Sequence, residues 1–169
     1  DPHRHGMQHR FTISVAGRLW HNVPMLARRL VDGLYSETMV LADEARSYFD
    51  SSGRLARDAL APLDRVVFSC EALKVTTRLM HVIAWLLTQR ALDSSEIAAE
   101  AVLHPSRRLG PPVISDSAAI ARLPEDARLL VASSIDLFRR VERLNDGLDE
   151  VEPAPSPARS LLGKLERAF

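Results

Sequence analysis

Residues 66–91 read VVFSCEALKVTTRLMHVIAWLLTQRA, and apolar or small side chains return along them in alternating steps of four and three. Val66, Cys70, Leu73, Thr77, Met80, Ala84, Leu87 and Ala91 form that seam without a fault. A repeat averaging 3.5 residues keeps one stripe of a helix turned towards a neighbour. Ala72, Thr76, Leu79, Ile83 and Leu86 make a second stripe beside it, and Val82 and Trp85 leave the C-terminal half apolar almost all round. Such a helix is expected at the centre of a bundle, buried on most faces, with Cys70 on its inner seam. Pro62 suits a first helical turn, where a missing N–H is no loss, and Asp64 complements the positive end of the helix dipole.

Upstream, residues 25–50 carry a second helical pattern in Ala27, Val31, Leu34, Leu41, Ala45 and Tyr48, widened by Tyr35, Met39, Ala42 and Phe49. Asp50-Ser51-Ser52-Gly53 stops it. Downstream, Pro124-Glu125-Asp126 opens a third helix with the seam Leu130, Ser134, Leu137, Val141, Leu144 and Leu148. Between these, Asp93 and Glu96 have capping-box spacing, which predicts a short helix over 94–103. The run Arg107-Arg108-Leu109-Gly110-Pro111-Pro112 then breaks regularity, and a connection this long is usually functional or mobile. No alternating strand pattern extends beyond a few residues. Three long amphipathic helices, each about 35–45 Å long, give an all-α fold: an antiparallel three-helix bundle over residues 25–150.

The flanks differ from this bundle. Residues 1–24 hold four of the six histidines and read as an N-terminal extension, disordered or non-native. His3 and His5 are read as part of that segment rather than as metal ligands. Residues 151–169 begin with Glu152-Pro153-Ala154-Pro155-Ser156-Pro157, a semi-rigid linker. The short amphipathic tail beyond it is too brief to be a stable helix alone. Leu161, Leu162, Leu165 and Phe169 nonetheless have the helical spacing of anchors for a partner groove.

Composition excludes several classes. The 22 basic and 22 acidic residues cancel, so the broad basic field of a generic nucleic-acid binder is missing. One cysteine forbids an intrachain disulfide and a multi-cysteine zinc site. The charge-free run 79–89 is too short to span a bilayer, and 11–17 makes a poor signal-peptide core, so no membrane association and a cytoplasmic location are expected.

Candidates for chemistry fail in turn, and neither catalysis nor a cofactor or metal is expected. His81 resembles a phosphoacceptor on a bundle helix, but Val82, Ile83 and Ala84 follow it and a structural role is the better reading. Cys70 has no activating base nearby in sequence. No Glu-x-x-His pair supports a carboxylate-bridged metal bundle, and no short Gly turn leads to a basic recognition helix. Arg107 and Arg108, next to Gly110, suit a phosphate or an acidic partner, although a solvated loop is the better account of them from the residues alone. Thr76-Thr77-Arg78 interrupts the central helix where leucines would serve stability better. Either the hydroxyls bond their own helix and Arg78 forms an internal salt bridge, or the triplet makes a polar contact at a helix or subunit interface.

The run Glu71-Ala72-Leu73-Lys74-Val75-Thr76-Thr77-Arg78-Leu79-Met80, continued by Trp85-Leu86-Leu87-Thr88-Gln89-Arg90-Ala91, resembles the central helix of the RcdA-type proteins, regulators of CtrA degradation. Leu34-Tyr35, Met39, Leu41, Glu44-Ala45 and Tyr48-Phe49-Asp50 are similar to that family's opening signature. Ser134, Leu137, Arg140-Val141 and Arg143-Leu144 fit more loosely, and the likeness spans about residues 30–150. The resemblance implies a homodimeric three-helix bundle without enzymatic activity. It implies an adaptor of the ClpXP protease in bacterial cell-cycle control, working with a response-regulator partner and protein substrates. On that reading the loop around Arg107 and Arg108 and the tail residues Leu161, Leu162, Leu165 and Phe169 carry partner contacts. Thr76, Thr77 and Arg78 are expected at an interface. A dimeric helical scaffold for signalling partners, with no proteolytic role, is the alternative.

Overall fold

Helix-forming residues dominate the computed structural model, which describes residues 16–97 and 104–150. The elements are α1 (Ala16–Asp50), α2 (Ser52–Asp58), α3 (Pro62–Asp93), a single 3-10 turn at Pro105–Arg107, α4 (Ser117–Ala121) and α5 (Glu125–Glu150). No strand occurs among the described residues. Helix α1 begins ahead of Met25, where the sequence pattern first becomes regular.

Local chemistry explains the breaks. The corner between α1 and α2 falls at Ser51, and Gly53 in the first turn of α2 lies where a Cβ would press on the Tyr48 carbonyl. Pro62 occupies the first turn of α3 and Asp64 lies on the dipole's positive end. The helix expected over 94–103 is not formed in its described part. Ser94 instead ends α3, Ser95 takes a left-handed φ of 60°, and the Ser94 hydroxyl donates to Glu96 Oε1 at 2.9 Å. Glu96 therefore serves this C-terminal turn rather than a new N-terminus; residues 98–103 lie outside the described residues. Asp116 caps α4 by accepting from the Ala119 N–H at 3.0 Å.

The core is built from three long helices. Val31, Leu41 and Ala45 of α1, Val75, Leu79, Val82 and Leu86 of α3, and Val131, Leu137 and Val141 of α5 are buried together. An aromatic cluster closes one end, with Phe49 packing edge-on against Tyr48 at 5.2 Å and Phe68 at 5.7 Å between ring centroids.

Cross-helix contacts fix the directions. Arg28 pairs with Asp93 and Arg90 with Asp32, so α1 and α3 run antiparallel. Arg140 forks onto Glu37, which with the neighbouring Asp136 raises its pKa, and α1 and α5 are antiparallel too. Helices α3 and α5 run parallel, because Arg78 meets Ser134 and Trp85 Nε1 donates to Asn145 Oδ1 at 2.8 Å. Antiparallel packing thus describes α1 against its two neighbours. A parallel pair needs a connection that travels back along the bundle, which is why residues 94–124 are so many.

The seam marked by the sequence on α3 faces the opposite way from expectation. Val66, Leu73, Met80 and Leu87 are 58%, 67%, 63% and 45% exposed, and Cys70 is exposed rather than on an inner seam. The buried face is Phe68, Glu71, Val75, Arg78, Leu79, Val82, Trp85 and Leu86. Heptad spacing identifies a stripe but not its side, and the polar pair on the other face has partners only inside the fold. On α5 the seam Ser134, Leu137 and Val141 does point inward.

Leu137→Ala is expected to cost about 2–5 kcal/mol in urea unfolding, as for a fully buried leucine. Leu129→Ala, exposed on the same helix, is expected to change stability by less than about 0.5 kcal/mol.

Candidate protein-binding surface

Asp64, Glu71 and Arg78 recur at seven-residue intervals and so share one side of α3. The returning connection lies along that side. Arg122 pairs with Asp64, Ser115 bonds Glu71, the Val113 carbonyl bonds Arg78, and Gly110 packs on the His81 ring. Arg78 is only 1% exposed and Glu71 2%. Arg78 Nε donates to Val113 O at 3.0 Å, Nη1 to Ser134 Oγ at 3.2 Å, and Nη2 to Ser115 Oγ. Ser115 in turn donates to Glu71 Oε2, and Lys74 Nζ donates to Glu71 Oε1 at 2.7 Å. Burial pushes the Arg78 guanidinium below its ordinary pKa, and the Glu71 carboxylate opposes that shift. One guanidinium thereby joins α3, the connection and α5.

The apolar stripe Val66–Leu73–Met80–Leu87 is offset from this polar row by two residues, about 200° around the helix. It therefore lies on nearly the opposite side of α3, facing solvent. Its polar atoms are satisfied within the helix. Ser69, Thr76, Thr77 and Thr88 each donate to the carbonyl four residues back, at 2.9–3.1 Å. What remains outward is methyl, methylene and thioether surface.

The expected site residues do not converge. Thr76 is exposed and Thr77 half-buried on the outer side of α3, whereas Arg78 turns inward. Arg78 makes its polar contact between helices α3 and α5, through Ser134, with all its nitrogens engaged inside the fold. Arg107 is half-buried in the 3-10 turn and Arg108 exposed beside it. Leu161, Leu162, Leu165 and Phe169 lie outside the described residues. Leu148 lines an open groove at the α1–α3 end with Val31, Leu87 and Leu92, rimmed by Arg28, Asp32, Arg90 and Asp93. Sequence reading passed over the joint role of Glu71, Val113 and Ser115. The signal was the heptad of charges at 64, 71 and 78, hidden among the apolar residues between them. Among the described residues, no group of three or more His, Cys, Asp or Glu is placed to hold a metal, and no helix is long and apolar enough to cross a membrane.

Comparison with known proteins adds to this geometry. Residues 23–169 match the model of a family described as "Protein of unknown function (DUF1465)". The chain belongs to that family. The DUF1465 protein is also similar to RcdA from Caulobacter crescentus CB15, whose crystal structure superposes with a TM-score of 0.57 at 30% sequence identity. The match covers 69% of this chain and 88% of the Caulobacter chain. No curated protein matches. The DUF1465 chain is thus an RcdA-type protein, and its family span includes both the pinned connection and residues 151–169.

Gly110→Ala tests the pinning. A Cβ there overlaps the His81 ring, so the variant is expected to lose about 1–3 kcal/mol by overpacking. His81→Ala in the same chain should recover most of the loss in thermal or urea melts.

Proposed function

We propose that this RcdA-type chain is a non-enzymatic, cytoplasmic, homodimeric adaptor that helps deliver protein substrates to ClpXP in bacterial cell-cycle control. The observation that carries the reading is a solvent-facing apolar stripe on the central helix of an RcdA-like fold. An apolar row of this length is costly to leave in water and is characteristic of a surface that meets another protein. The similarity to RcdA supplies the protease, and the response regulator that primes it, as the partners to test.

The division of labour follows from the same elements. The bundle is the scaffold. The connection near Arg107 and Arg108 and the tail beyond the Pro-rich linker carry partner contacts. Tethering raises the local concentration of a weak motif, so the tail anchors Leu161, Leu162, Leu165 and Phe169 need not bind tightly alone.

Reconstituted degradation tests this reading: ClpXP, the unphosphorylated response regulator and a candidate substrate, with and without the chain. Faster substrate loss is expected, abolished by deleting 153–169 and by Leu162→Asp, with helicity and self-association unchanged. No acceleration by the folded chain would favour a dimeric scaffold without a proteolytic role. Unchanged delivery by Leu162→Asp would remove the tail from the mechanism.

A further inference from the structure

We infer that two copies of this chain associate antiparallel across the outer stripe of α3, about a two-fold axis passing between Arg78 and Leu79. The inference rests on the homodimeric part of the proposed function and assigns the face on which the copies meet.

The stripe has an internal size order. Its large members are Val66, Leu73, Met80 and Leu87, and its small ones are Cys70, Thr77, Ala84 and Ala91. When the helix is laid antiparallel on its own copy about that axis, each layer holds one of each. Val66 opposes Ala91, Cys70 opposes Leu87, Leu73 opposes Ala84, and Thr77 opposes Met80; the two-fold repeats these four layers. A large side chain over a small one fills the space between helices and lets them approach closely along the whole stripe. Parallel packing in register does the reverse. It stacks Leu73 on Leu73 and Met80 on Met80, while layers of two alanines or two cysteines leave gaps that cost stability. The pattern is therefore self-complementary in one orientation, as an isologous contact requires.

The polar groups beside the stripe permit this contact. Thr77 spends its hydroxyl on the Leu73 carbonyl and presents its methyl. The cations beside the stripe already have partners in their own chain: Lys74 on Glu71, Arg90 on Asp32 and over the Tyr35 ring at 4.5 Å, Arg57 on Asp58, and Arg65 on the Leu60 carbonyl. In the antiparallel arrangement Lys74 comes to the edge of the second copy that carries His81, and Arg90 comes to the end where Asp58 stands beside Arg57 and Arg65. Where it meets Asp64, Glu71 and Arg78, the connection lies on the far side of α3 and is left uncovered for other partners.

The experiment combines association with a geometric probe on the full chain. Sedimentation equilibrium of the wild type should give a dimer. Leu73→Asp and Met80→Asp, both on exposed positions that leave the core intact, should weaken it about thirtyfold or more, the effect of losing a central interface residue. Leu129→Asp, exposed on α5, should leave the dimer as it is. The orientation is read with a short bis-maleimide. Two native Cys70 thiols stand about 26 Å apart along the antiparallel pair, so the wild type should not cross-link. Leu87→Cys sets Cys70 opposite the introduced thiol and should cross-link, and Cys70→Ser in that variant should abolish the product. Cross-linking of the wild type through Cys70 would overturn the orientation. A wild-type dimer indifferent to Leu73→Asp would overturn this face while leaving the dimeric reading intact. A wild-type monomer at every concentration would overturn both, and loss of delivery by Leu73→Asp in such a monomer would assign the stripe to a different protein.

Discussion

A buried guanidinium is the constraint on which the rest of this structure turns. Taking Arg78 and Glu71 out of water carries a desolvation cost of several kcal/mol per ion, which is offset only if nearly every donor and acceptor finds a partner. Few of those partners lie on α3 itself. Val113 and Ser115 come from the connection, and Ser134 comes from α5. The connection must therefore return along α3, and α5 must leave its end in the same direction as α3. Parallel packing of those two helices, and the length of chain between them, are two aspects of one requirement.

The same cluster determines what α3 shows to solvent. A helix whose polar row is held inside by charged hydrogen bonds must turn its remaining faces to α1, to α5 and outward. The outward face is the apolar heptad. For an isolated monomer this arrangement wastes apolar burial, since Val66, Leu73 and Met80 are more than half exposed. On the proposed adaptor reading, the stripe is surface held ready for association.

Much of the fold was legible in the sequence. The starts of α3 and α5 follow from Pro62 and Pro124, and the periodicity of Leu137 and Val141 correctly identified an inward stripe. The side of α3 was not legible, because a heptad of Val, Leu, Met and Leu has the same form whether it meets the chain's own helices or another molecule. Two features pointed the other way: the charges at 64, 71 and 78 repeat with the same period, and the residues alternating with the leucines are unusually small. Glu96 likewise had the spacing of a capping box, but Ser94 claimed its carboxylate for the end of α3. The partner contacts expected at Leu161, Leu162, Leu165 and Phe169 fall outside the described residues. They depend on the resemblance and on composition alone.

The account rests most directly on the contact between Arg78 and the returning connection, 37 residues away in sequence. A double-mutant cycle of Arg78→Met and Ser115→Ala in urea unfolding measures it without reference to function. We expect a coupling of about 1–3 kcal/mol, as for residues sharing one buried polar network. Additive effects would contradict the account, because the connection would then not be held by α3, and the orientation of that helix would need another cause.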